Sequence, residues 1–161
     1  MLRNIVLRSL LVCGLLFWGQ SALAVTDPQD LVKKTTELVL AEVTAKKQEL
    51  KANPGRIYPL IDDILLPRFD FNAIAHLVLV KHWKQASNAE KQSFIREFRE
   101  LLVRTYATAL LNYSGQNIDY PPMDSGADAK KVKVRTKVNN QGAGAVPIDY
   151  SLCMKKDEWK V

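Results

Sequence analysis

At Ser114-Gly115 the hydrophobic period of this chain switches from three or four residues to two. Downstream, Lys131-Val132-Lys133-Val134-Arg135-Thr136-Lys137-Val138 alternates strictly between cationic and apolar or β-branched side chains, which predicts a strand with one wet face and one buried face. Upstream, apolar residues recur at helical spacing. Helices followed by a one-sided antiparallel sheet can bury both apolar surfaces only by stacking one on the other, so the expected class is α+β, with the helical N-terminal two-thirds packed on the sheet.

Local signals divide the helical part. Thr26 or Asp27 can cap a helix with Pro28 at its first position, and Leu31, Leu38, Val39 and Val43 carry its apolar face to about Leu50. Asn53-Pro54-Gly55 stops it, and a short apolar piece from Leu60 to Leu66 ends at Pro67. Asp70 sits where a cap belongs, ahead of Phe71, Ile74, Ala75, Val78 and Leu79. Ser87-Asn88-Ala89-Glu90 is a capping box, and Phe94, Phe98, Leu101, Leu102 and Tyr106 extend one wide stripe to about Tyr113. In the sheet, Ile118 and Tyr120 suggest a short strand. After the turn from Asn139 to Gly144, Val146, Ile148, Tyr150, Leu152 and Met154 form the apolar face of a returning strand. Trp159-Lys160-Val161 begins another, which predicts an exposed apolar sheet edge there.

The first residues belong to a different regime. Arg3 and Arg8 precede the apolar run Leu10 to Trp18, too short to span a bilayer, and Ala22-Leu23-Ala24 places small residues where a signal peptidase requires them. Residues 1–24 are read as a signal peptide cleaved after Ala24, and residues 25–161 as one exported domain. Of 161 residues and a formal charge of +6, the domain keeps 137 and +4, because two arginines leave with the signal and no acid does. Cys153 alone remains of two cysteines, so no internal disulfide is expected. Export argues against nucleic acid as a partner. The basic residues Lys131, Lys133, Arg135 and Lys137 are then read against membrane surfaces, acidic proteins or solvent.

Signals for bond-making chemistry are weak. His76 and His82 stand six positions apart and do not share a helix face as an i, i+4 metal pair does, and Asp62-Asp63 point in different directions. There is no Gly-x-Ser-x-Gly, phosphate-cradling loop, Cys-x-x-Cys or zinc spacing. No catalytic residue, metal or cofactor is assigned. Phe69, Phe71, Trp83, Phe94, Phe98 and Tyr106, by contrast, fall within 38 positions. The residues alone leave two readings: an ordinary filled core, or an apolar space between helices and sheet that holds a ligand.

The set Leu65-Leu66-Pro67-x-Phe69-Asp70-Phe71, Ile74-Ala75, Val78-Leu79, Trp83, Lys91-Gln92-x-Phe94, Phe98, Leu101-Leu102 and Thr105-Tyr106 resembles the MlaC, or toluene-tolerance, family of periplasmic phospholipid-binding proteins. The resemblance implies an NTF2-like sheet plus helices enclosing an apolar cavity. It implies a carrier, not an enzyme, that takes acyl chains into that cavity and leaves the headgroup in solvent. Its implied partners are phospholipid, an outer-membrane lipoprotein associated with porins, and an inner-membrane ABC transporter complex, with transient contact at membrane surfaces. A monomer is expected. The cavity candidates that follow are Leu66, Phe69, Phe71, Ile74, Val78 and Leu79, then Trp83, Phe94, Phe98, Leu101, Leu102 and Tyr106, and Val134, Ile148 and Tyr150 from the sheet. Two departures stand out. Val80 occupies a position where relatives often have glycine, and relatives continue past Glu158-Trp159-Lys160-Val161, so part of the cavity wall is expected to be missing. The competing readings are an exported NTF2-like enzyme using Asp70 with His76 or His82, and an envelope adaptor that binds proteins through its basic strand.

Overall fold

The computed structural model describes residues 26–123, 129–140 and 144–161. The signal-peptide reading falls on residues outside that set.

Six helices come first. The side chain of Asp27 accepts hydrogen bonds from the backbone N–H groups of Gln29 and Asp30, and starts α1 (Pro28–Ala45). The helix was expected to run unbroken to Leu50. Instead it breaks at Lys46 and resumes as α2 (Lys47–Ala52). Just before the break, the Thr44 hydroxyl donates to the Leu40 carbonyl, one turn back. A 3₁₀ turn at Pro54–Arg56 leads into α3 (Ile57–Ile64), and a second at Leu66–Arg68 leads to Asp70, which caps α4 (Phe71–Leu79) through Ala73 N–H. The short α5 (His82–Gln85) precedes α6 (Asn88–Leu111), where both halves of the Ser87–Glu90 capping box are made.

The sheet has four antiparallel strands in the order β1 (Asn117–Asp119), β2 (Lys131–Asn140), β3 (Gly144–Lys155) and β4 (Glu158–Lys160). The β2–β3 register pairs Val132 with Leu152, Val134 with Tyr150, and Thr136 with Ile148, so the apolar sets of both strands share one face. Mixed helices against an antiparallel sheet bear out the α+β reading. The expected exposed edge does not form. Trp159 is 7% exposed, the Arg68 carbonyl accepts from Val161 N–H, and Asp70 N–H donates to the Val161 carbonyl. These bonds satisfy backbone groups that a bare strand would present to solvent.

Two apolar clusters hold the layers together. Val39 and Val43 of α1 pack with Leu50, Ile57, Leu60, Ile61 and Leu66, and with Val103 and Ala107 of α6. Val32, two turns earlier on α1, packs with Val132, Val134, Leu152 and Trp159 on the sheet. One helix therefore serves both cores. Between them, its Thr36 faces a gap.

Candidate functional site

The gap is a cavity of about 310 Å³. Three helices and the sheet wall it. From α1 come Thr36, Val39 and Leu40, and from α3 and the turn after it Ile61, Leu65 and Leu66, with Phe69 and Phe71 beyond. The C-terminal half of α6 supplies Leu102, Val103, Tyr106, Ala109 and Leu110, with Tyr113 just past its end. The sheet contributes Ile118, Thr136, Val138, Ile148 and Tyr150.

The cavity exists because the sheet is covered unevenly. Along the inner face of β3, Leu152 is 1% exposed beneath α1, Tyr150 is half-buried, Ile148 is 39% exposed and Val146 is 46% exposed. β2 shows the same trend more weakly, with Val134 fully buried and Val138 half-buried. Where α1 leaves the sheet, the apolar face continues without a helix on it. Tyr106, 48% exposed, stands at the same open side.

Polar groups on the wall are few. The Thr136 hydroxyl, 2% exposed, donates to the Ile148 carbonyl at 2.9 Å. The Tyr113 hydroxyl donates to the Gln116 carbonyl. Burial pushes the Tyr150 hydroxyl above its ordinary pKa, with the neighbouring Tyr120 and Tyr106 adding to the shift. Among the described residues no buried side-chain polar atom lacks a partner. The wall is therefore mainly apolar, which suits a hydrocarbon chain better than a polar ligand. A second hollow of about 280 Å³ lies between α2 and the end of α6, with Lys47 and Lys51 on its wall.

Of the candidates named from sequence, Leu66, Phe69, Phe71, Leu102, Tyr106, Ile148 and Tyr150 line the cavity. Val134 does not; it is fully buried in the core beneath α1. The rest of the aromatic set stands elsewhere. Phe94 stacks on Phe98 at 5.6 Å, Trp83 lies 5.4 Å from His76, and Lys91 stands over the Trp83 ring. Ile74 and Leu79 are half-buried on α4, while Val78 and Leu101 are 51% and 58% exposed. The reason is length. At 24 residues, α6 is about 36 Å long. Only its C-terminal half faces the sheet across the cavity, and α4 packs beside the remainder. Sequence reasoning missed Thr36, Val39 and Leu40, whose i, i+3, i+4 spacing on α1 was the available signal.

The acid and base of the enzyme reading have other partners: His76 lies against Trp83, and Asp70 is held by a helix cap and a lysine. Asp70 accepts from Ala73 N–H and from the Lys155 ammonium, and the lysine chiefly holds its carboxyl below the ordinary range. Asp62 is paired with Arg99 of α6 at 3.0 Å. Among the described residues no group of three or more His, Cys, Asp or Glu could hold a metal ion. The four basic residues of β2 all point to solvent on the sheet's outer face. There Lys133 pairs with Asp149, and Asp119 lies opposite Lys137 in register.

Residues 33–161 match the family model for the MlaC protein. The chain belongs to the MlaC family. It is 32% identical to the toluene tolerance protein Ttg2D of Pseudomonas putida over 98% of its own length and 73% of that protein. It is 27% identical to the intermembrane phospholipid transport system binding protein MlaC of Haemophilus influenzae, over 88% of this chain and 68% of that one. A phospholipid-binding protein from Ralstonia solanacearum, solved in complex with a phospholipid, superposes with a TM-score of 0.77 at 34% identity. That match covers 84% of this chain and 75% of the other. No helix among the described residues is long and apolar enough to cross a membrane.

Proposed function

We propose that this protein is a periplasmic phospholipid carrier that holds acyl chains in the cavity between α1, α6 and the sheet. The observation that carries this reading is the mainly apolar wall of that cavity, in a chain 34% identical to a protein solved with a phospholipid. Each buried methylene favours transfer out of water by about 0.8 kcal/mol, so two long acyl chains resist an aqueous crossing by on the order of 20 kcal/mol. A carrier must hide most of that surface and needs no reactive group to do so. Leu66, Phe71, Leu102 and Ile148 supply such contact, and the open side beside Tyr106 and Val146 gives a headgroup access to water.

In this reading the carrier works as a monomer between an outer-membrane lipoprotein–porin complex and an inner-membrane ABC transporter, and so helps keep phospholipid out of the outer leaflet. The test is direct. The exported protein is purified, its fold is checked by circular dichroism, and its organic extract is analysed by mass spectrometry. Phospholipid at about one molecule per protein is expected. A folded sample with an empty extract overturns the proposal.

A further inference from the structure

At the far end of α4 from the cavity the chain makes an apolar corner. Leu77 is 75% exposed, Val78 51% and Val80 67%. Exposed apolar residues scattered singly need no explanation, but three within four positions at a helix end form a patch. The flanking sequence is cationic. From Phe71 to Ala89 there is no acidic residue, while Lys81 and Lys84 lie within that stretch and Lys91 beyond it. None of the three lysines enters an ion pair among the described residues. The carboxylate nearest in sequence, Glu90, is engaged by the backbone and hydroxyl of Ser87. Trp83 is half-buried at the same corner, with Lys91 5.2 Å from its ring.

Exposed aliphatic side chains, an adjacent tryptophan and flanking lysines in an acid-free stretch are the chemistry that seats on an anionic bilayer. The aliphatics enter the acyl boundary, the indole lies at the headgroup level and the lysines meet phosphates. The cationic strand β2 is the weaker candidate, because Asp149 and Asp119 are interleaved with its charges. We infer that the corner formed by Leu77, Val78, Val80, Lys81 and Lys84 docks the protein on anionic phospholipid membranes. This goes beyond the carrier reading and does not depend on the cavity being filled.

Vesicle flotation tests it with the whole exported protein. Wild type should float with phosphatidylcholine vesicles that contain phosphatidylglycerol, remain behind with pure phosphatidylcholine, and dissociate as salt rises. Leu77→Glu combined with Val80→Glu should abolish flotation. Lys81→Gln and Lys84→Gln should each weaken it roughly fivefold. Lys131→Gln with Lys133→Gln should leave it nearly unchanged. Far-UV circular dichroism confirms that each variant is folded, and its extracted phospholipid is measured separately, so docking and carriage can fail independently. The inference is overturned if wild type does not float, which would assign the corner to a protein partner. It is equally overturned if the corner variants float like wild type, or if the β2 variants alone lose binding.

Discussion

The carboxylate of Asp70 accepts a hydrogen bond from the Lys155 ammonium while it caps α4 through Ala73 N–H. One side chain thus starts a helix and ties it to the end of β3. Backbone bonds between Arg68, Asp70 and Val161, and a bond from the Lys160 ammonium to the Pro67 carbonyl, make the same joint broader. Phe69 and Phe71, which flank Asp70, reach the cavity from this joint.

Asp70→Ala should therefore destabilise the fold by about 1–2 kcal/mol, since it removes both a cap and an ion pair. Asp70→Asn keeps a capping oxygen and loses only the pair with the half-exposed Lys155, so it should cost about 0.5 kcal/mol. The pH dependence follows from the lowered carboxyl. The folded state binds this proton less readily than the unfolded chain, so the charge contributes fully above the ordinary carboxylate pKa. It is lost as pH falls through the folded-state value. Urea titrations of wild type and Asp70→Asn should differ at pH 7, and the difference should begin to close only as pH falls below about 4.

Val80 ends α4 at φ 46°, ψ −114°, a conformation that a β-branched residue adopts only under strain. It is also 67% exposed, so its side chain contributes little packing. Glycine removes the clash at that φ at a smaller cost in unfolded-state entropy. Val80→Gly should raise stability by about 1 kcal/mol, read as a Tm increase of a few degrees. An unchanged or lower Tm would show that the turn is held by contacts of the valine side chain.

Phe98 and Leu102 show what the sequence can and cannot say. They lie one turn apart on the same stripe of α6 and carry the same periodic signal, yet only Leu102 lines the cavity. The difference is made by which part of α6 faces the sheet across the cavity, a tertiary fact with no local code. The caps at Asp27, Asp70 and Ser87 were legible because their hydrogen bonds close within three residues. The strands were legible because alternation is itself the code for a one-sided sheet. The backbone bonds from Arg68 and Asp70 to Val161 span up to 93 positions, so nothing in the local sequence announces them.

That contrast sets a discriminating pair of substitutions. Leu102→Glu places a charge in the cavity wall, where it must either be hydrated or leave, and should abolish phospholipid retention in the extract. Val78→Glu, on a half-exposed position outside the cavity, should leave retention unchanged. Leu102→Met, which preserves volume and apolarity, should also retain lipid and so separates the charge from a packing defect. Retained lipid in folded Leu102→Glu would remove this residue from the binding surface.

The hairpin from β3 to β4 offers the last test. Lys155 pairs with Glu158 across a two-residue loop, and Lys156 and Asp157 both take positive φ, 50° and 62°. That is the signature of a type I′ turn, which favours Asn-Gly because a lysine pays a steric penalty in the left-handed region and glycine does not. The double substitution Lys156→Asn with Asp157→Gly should stabilise the protein by about 1 kcal/mol. Because the hairpin carries Lys155 and Trp159, a firmer turn should also slow amide exchange in β4 more than in β1, measurable by hydrogen–deuterium exchange. Equal protection in both strands would mean that β4 is held by the Asp70 joint and owes nothing to its own turn.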